Sequence, residues 1–179
     1  MSKVLIISAS YRKGGNSDTL SDEFSRGAVE AGNEVTKIRL AEKNISFCNG
    51  CCACDKGKEC PIQDDMKDML PLLVEADYIV FATPVYFYCM SGQMKTFIDR
   101  CLPVYKKLND KKFIILVAAE DNEKDTFDET LSAFNGFFRC LSGAEIVKVV
   151  RGYGVYGPRE IKNSPKALEM AYLAGLDTI

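Results

Sequence analysis

The sequence predicts an α/β domain of three layers, with a parallel sheet between two layers of helices. Five short apolar runs alternate along the chain with segments of helical periodicity, which is the pattern of a parallel sheet with helical crossovers. Runs such as Tyr78-Ile79-Val80-Phe81-Ala82 are apolar throughout rather than at every second residue, as strands covered on both faces are.

Lys3 to Ser8 is the first strand, and the turn formers Ala9 to Ser17 follow it. Leu20, Phe24, Gly27/Ala28 and Ala31 recur at helical spacing, with Asn16 or Ser17 as the N-cap and Gly32 as the stop. Glu34 to Leu40, carrying Val35, Ile38 and Leu40, is the second strand, and a loop with five cysteines comes next. Asp64 to Glu75 places Met66, Met69, Leu70 and Leu73 on one helical face, where Pro71 predicts a kink or a restart. Tyr78 to Ala82 is the third strand. Ser91 caps a helix carrying Met94, Phe97, Ile98, Cys101 and Leu102 on one face. Phe113 to Ala119 is the fourth strand. Thr126 to Glu129 has capping-box form ahead of a face made by Phe127, Leu131, Phe134, Phe138 and Leu141. Ala144 to Val150 is the fifth strand, and after a Gly/Tyr loop Ser164-Pro165 opens a last helix. No repeat or linker divides the chain, so residues 1–179 are read as one domain with a cysteine-rich loop at about 46–62.

The 179 residues are 47% hydrophobic and 27% charged, a composition that excludes disorder, collagen and a coiled-coil rod. A formal charge of -2 and an isoelectric point near 5.3 leave no footprint for nucleic acid. The first apolar run ends after four residues, too short for a signal peptide, and no stretch reaches the roughly 20 apolar residues of a membrane span. A cytoplasmic location without a membrane partner is therefore expected. Thiols stay reduced there, so eight cysteines point to metal, redox or catalytic chemistry before disulfides. With no histidine, Ser-His and Cys-His catalysis and HExxH zinc sites are excluded. Cys89, Cys101 and Cys140 read as buried small hydrophobes.

Ligands of open parallel sheets bind outside the carboxyl ends of the strands. The loop Ser10 to Ser17 joins hydroxyls, Arg12, two glycines and Asn16 directly ahead of a helix, which suits a phosphate or, more plainly, an ordinary capped loop. It has neither GxGxxG nor a Walker lysine. Thr83 to Tyr88 ends a buried strand with three aromatics, which can lie along a planar ring or cover a helix end. Both loops leave the same sheet edge, and a phosphate joined to an aromatic ring system has the shape of a mononucleotide such as FMN.

The segments Ser8-Ala9-Ser10-Tyr11-Arg12-Lys13-Gly14-Gly15-Asn16-Ser17 and Thr83 to Arg100 resemble the two signature segments of the flavodoxin-like, NADPH-dependent FMN reductases. Cys48-Asn49-Gly50-Cys51-Cys52-Ala53-Cys54, with Cys60 and Asp64-Asp65-Met66 after it, resembles the iron-sulfur flavoprotein branch of that family. The resemblance implies a flavodoxin-like doubly wound fold with strand order 2-1-3-4-5. It implies that Ser10, Arg12, Asn16 and Ser17 hold the FMN phosphate and that Pro84, Val85, Tyr86 and Phe87 run along the isoalloxazine. NAD(P)H or a ferredoxin would be the electron donor, and a quinone, an azo or nitro compound, oxygen, free flavin or another protein the acceptor. A homodimer is implied by the same analogy. The sequence departs from the family at Ala118-Ala119-Glu120-Asp121, where glycines are frequent, and at Pro71.

Cys48, Cys51, Cys54 and Cys60 have the compact spacing of iron-sulfur ligands, with a structural zinc as the second choice. The resemblance points to a [4Fe-4S] cluster, with Cys52 spare. Loops of this form also resemble those of flavoreductases that carry no metal. Two other functions remain open: a thiol-rich redox-sensing or zinc-binding interaction module without flavin, and a flavodoxin-type electron carrier that does not react with NAD(P)H.

Overall fold

The computed structural model describes residues 1–178. Its parallel sheet is built from β1 (Lys3–Ser8), β2 (Glu34–Arg39), β3 (Tyr78–Tyr86), β5 (Lys112–Ala118) and β6 (Glu145–Gly152), in the order β2-β1-β3-β5-β6. Counted over the parallel strands alone, this is the flavodoxin-like order expected. A sixth strand, β4 (Cys89–Met90), was not anticipated; it pairs antiparallel with the end of β3, Val85 opposite Met90 and Tyr86 opposite Cys89.

Side chains alternate across the sheet, which splits the core in two. Leu5, Ile7, Ile79, Phe81, Phe113 and Ile115 face α2 (Met66–Glu75), α3 (Gly92–Asp99) and α4 (Asp128–Phe138). Val4, Ile6, Val80, Ile114 and Leu116 face α1 (Asn16–Glu30) and α5 (Pro165–Leu176). On the first face Phe81 is the hub of an aromatic cluster, with ring centroids 5.6 Å from Phe113 and 5.9 Å from Phe134. On the second face α1 and α5 touch backbone to backbone. A Cβ on Gly27 would lie 2.1 Å from the Tyr172 carbonyl oxygen, and one on Gly175 would lie 2.1 Å from that of Phe24.

Local details differ from the sequence reading for identifiable reasons. Gly15, not Asn16 or Ser17, is the N-cap of α1, because the turn is tight enough to place the glycine at the boundary. α2 passes through Pro71 without interruption; the carbonyl that loses its donor belongs to Lys67, an exposed residue whose oxygen water can satisfy. α4 starts at Asp128 with Phe127 as N-cap and no side-chain cap, so the Thr126–Glu129 capping box does not form. Ser91 does cap α3, its Oγ accepting from the Met94 N–H at 3.4 Å. Cys101 is buried as expected, but Cys89 and Cys140 are exposed. In β4 it is Met90 that turns inward, and strand alternation sends Cys89 out; Cys140 lies beyond the last residue of α4.

The helix contact sets the first test. Gly175→Ala is expected to destabilise the protein by about 2 kcal/mol in urea unfolding, because the backbones must separate. Gly136→Ala, on α4 with nothing within 4 Å of the added carbon, is expected to stabilise it by about 0.5–1 kcal/mol.

Candidate functional site at the carboxyl edge of the sheet

The β1–α1 loop lies over the centre of the sheet's carboxyl edge. It is pinned to β3 through Ala9 N–H to the Ala82 carbonyl at 2.8 Å, and to the start of α3 through Ser91 Oγ donating to the Ala9 carbonyl at 3.3 Å. Within it, Ser10 Oγ donates to the Arg12 carbonyl at 2.9 Å, and Gly15 N–H to the same carbonyl at 3.0 Å. Arg12 Nη1 donates to the Tyr156 carbonyl at 3.1 Å. Asn16 donates to the Gly157 carbonyl at 3.0 Å and accepts from the Ile161 N–H at 3.1 Å. The segment after β6 is thus a buttress for the loop. Ser17 is buried in the first turn of α1, and its hydroxyl has no hydrogen-bond partner. A Cβ on Gly15 would come 2.6 Å from Ser10 Oγ and 3.0 Å from the Arg12 carbonyl oxygen, so the loop can close this tightly on the helix start only with glycine there.

Beneath the loop is a residue the sequence reading missed. Asp18 is buried and accepts from Ser8 Oγ at 2.7 Å and from the Gly14 N–H at 2.8 Å. Lys37 Nζ stands 2.9 Å and Arg39 Nε 3.5 Å from its carboxylate. Burial pushes the Asp18 carboxyl up, but the hydrogen bonds from Lys37, Ser8 and Gly14 outweigh it and hold the group below the usual carboxylate value. Its charge is therefore neutralised from below, and the N–H groups and positive dipole end of α1 remain free to face an anion. The available signal was Lys37 and Arg39 two apart on a strand, on one face, next to a buried helix start.

The second loop is a tight hairpin. Pro84, Val85 and Tyr86 finish β3, and Phe87 and Tyr88 form a two-residue turn to β4. Both turn residues have positive φ, 50° and 58°, a conformation that such turns require and that aromatic side chains rarely adopt. Phe87 is wholly exposed at 103%, with Tyr86 and Tyr88 half exposed. The Tyr88 hydroxyl donates to Asp121 at 3.3 Å, and Thr130 Oγ1 donates to the Tyr88 carbonyl at 2.9 Å, so the tip rests on the β5–α4 segment. Between the hairpin and that segment opens a cavity of about 610 Å³, lined by Val85, Phe87 and Tyr88 on one side and by Ala119, Asp121 and Thr126 on the other.

The cysteine loop is held at its base. Arg100, 3% exposed, makes a two-pronged pair with Asp64 at 2.6 and 3.0 Å. Arg100 also donates to the Ser46 carbonyl at 2.7 Å and approaches Cys60 Sγ at 3.8 Å. Asp64 in turn accepts from the Ser46 N–H at 2.9 Å and the Met66 N–H at 3.1 Å. Burial raises the Asp64 carboxyl, and the bonds from Arg100, Ser46 and Met66 more than reverse this. Beyond this clamp the expectation of a ligand set is not met. Cys48 and Cys51 are exposed, Cys54 and Cys60 half-buried, and among the described residues no three His, Cys, Asp or Glu side chains converge as metal ligands. As arranged, the four thiols do not fit a cluster.

Asp18 and Asp64 both have carboxyls depressed below the unfolded value of about 3.9, so the stability they contribute is complete above that pH and is lost as pH falls through their folded values. Asp64→Asn is expected to cost about 3 kcal/mol at neutral pH by leaving Arg100 buried without its charge partner, and to flatten the acid limb of stability measured by urea unfolding against pH.

An iron-sulfur flavoprotein of Archaeoglobus fulgidus is 40% identical over 101 residues, which cover 56% of this chain and 46% of that protein. A Bacillus subtilis protein named for NAD(P)H-dependent FMN-containing oxidoreductase activity is 28% identical over 178 residues, 94% of each chain. The chain spans about half the length of the iron-sulfur flavoproteins it matches. The solved NAD(P)H:quinone oxidoreductase of Methanothermobacter marburgensis has the same fold, with TM-score 0.76 at 17% identity over 99% of both chains. The family described as NADPH-dependent FMN reductase matches residues 2–141, more than three quarters of the sequence, and the chain belongs to that family.

Proposed function

We propose that this protein binds FMN at the carboxyl edge of its sheet and uses it to pass electrons from a reduced nicotinamide to a small acceptor. The observation that carries the reading is the unpartnered, buried Ser17 hydroxyl in the first turn of α1, one strand away from an aromatic hairpin over a cavity. Ser10, Arg12, Asn16 and Ser17 would hold the phosphate, with the helix dipole and the neutralised Asp18 beneath it. Pro84, Val85, Tyr86 and Phe87 would run along the ring. FMN, when bound, supplies the two-electron chemistry, and the chain supplies orientation and exclusion of water. Gly14 and Gly15 fold the loop so that the N–H groups beginning α1 would face the anion, and the turn at Phe87 and Tyr88 would set the plane against which the ring lies. A second copy of the chain covering the exposed tip at Phe87 belongs to the same proposal. No step is assigned to the cysteine loop.

Titration of the apoprotein with FMN, followed by flavin fluorescence, tests the assignment. Arg12→Ala is expected to raise the dissociation constant about tenfold or more without changing the circular-dichroism spectrum. Ser17→Ala should act with opposite signs on two measurements. Removing a buried orphan hydroxyl stabilises the apoprotein by up to about 1 kcal/mol, while FMN binding weakens. Failure of the wild-type chain to take up FMN would overturn the reading.

A further inference from the structure

The turn after β6 that buttresses the β1–α1 loop carries a charge of its own. Arg159 precedes a short 3₁₀ turn, Glu160–Asn163, and adopts φ 66°, a left-handed conformation that glycine takes freely and arginine rarely. Its guanidinium lies against the loop, with Nε 3.7 Å from where a Cβ on Gly14 would stand. The bonds of Arg12 to Tyr156 and of Asn16 to Gly157 and Ile161 fix the turn in this place. Glu160, the acid next to Arg159 in sequence, is engaged elsewhere, its Oε2 accepting from the Tyr156 N–H at 2.8 Å. Among the described residues, none of Arg12, Lys13 and Arg159 takes part in an ion pair.

Three cations without carboxylate partners thus stand on and beside one loop of a chain whose formal charge is -2. A second observation at the same place points to a ligand: Ser17, in the first turn of α1, is 1% exposed, and its hydroxyl has no hydrogen-bond partner. Like charges held together repel one another, an anion relieves that repulsion, and a guanidinium can bond two oxygens of a phosphate at once. Resting on the function proposed above and deepening it, we infer that Arg159 is a phosphate-binding residue of the anion site, acting with Arg12 on the terminal phosphate of the flavin. Arg159 stands outside residues 2–141, the part of the chain that matches the family. The contact therefore belongs to this chain's own late segment rather than to the shared loop. Two guanidiniums from distant parts of the sequence make the site favour a flavin that ends in a phosphate, with its two negative charges, over an uncharged one.

The test titrates the apoprotein, by flavin fluorescence, with FMN and with riboflavin, which has the same ring and no phosphate. Arg159→Gln is expected to raise the FMN dissociation constant about tenfold and to move that of riboflavin by less than about twofold. Arg159→Lys, which restores the charge without the planar fork, should recover part of the loss. Arg159→Gly should weaken FMN binding as the glutamine does while raising the urea midpoint, because glycine suits the backbone there. Unchanged FMN affinity in Arg159→Gln, or an equal loss for FMN and riboflavin, would overturn the inference. A second arm uses no flavin. Inorganic phosphate, compared with chloride at equal ionic strength, is expected to raise the thermal midpoint of the wild-type apoprotein and not that of Arg159→Gln. If the wild type takes up no FMN yet shows this protection, the flavin reading falls and the assignment of Arg159 to an anion site stands. If it takes up no FMN and phosphate protects both proteins alike or neither, the assignment falls as well.

Discussion

A carboxylate buried among backbone atoms must be neutralised where it stands, and at Asp18 that requirement organises the centre of the sheet's carboxyl edge. Ser8 from β1, Gly14 from the loop, and Lys37 and Arg39 from β2 all converge on it. Four pieces of chain are thereby set relative to one another around a single group. The first helix can then start directly beside the end of the first strand, with its polar end unspent. The acid that might have repelled a phosphate instead orders the loop that would receive one.

Asp64 and Arg100 repeat the device on the other helical layer, joining the start of α2 to the end of α3 across the base of the cysteine loop. The two pairs differ in what they leave over. Lys37 and Arg39 answer Asp22 and Glu42 as well as Asp18, so the positive potential above comes from Arg12, Lys13 and the start of α1. At the far side of the hairpin the carboxylates of the β5–α4 segment outnumber its one cation, Lys124. A ligand lying across the edge would meet opposite electrostatic surroundings at its two ends.

Much of the architecture was legible because the strands are apolar on both faces, and such runs have few alternative readings. The order of the parallel strands followed from the family resemblance. What escaped the sequence depended on tertiary context. The Phe87–Tyr88 turn lacks the glycine or asparagine that normally announces a two-residue hairpin, so β4 had no local signal. Arg100 lies 36 residues from Asp64, and no periodicity links them. The ties of Asn16 to Gly157 and Ile161 reach across 141 and 145 residues, and no local pattern announces them. Cysteine spacing suggested a ligand set, and among the described residues no three such side chains converge on one point, with Cys52 itself at positive φ.

The close contact of Gly27 with Tyr172 and of Gly175 with Phe24 joins parts of the chain nearly 150 residues apart. The buttress at Tyr156, Gly157 and Ile161 comes from the same late stretch. During synthesis the early strands can leave the ribosome and pair with one another well before α5 exists. The loop at the start of α1 cannot settle until that late stretch has emerged, so the fold's earliest loop is among the last to acquire its final shape. The emerging chain would thus hold a nearly complete sheet with an unfinished first loop, and its second apolar face would stay open until α5 docks.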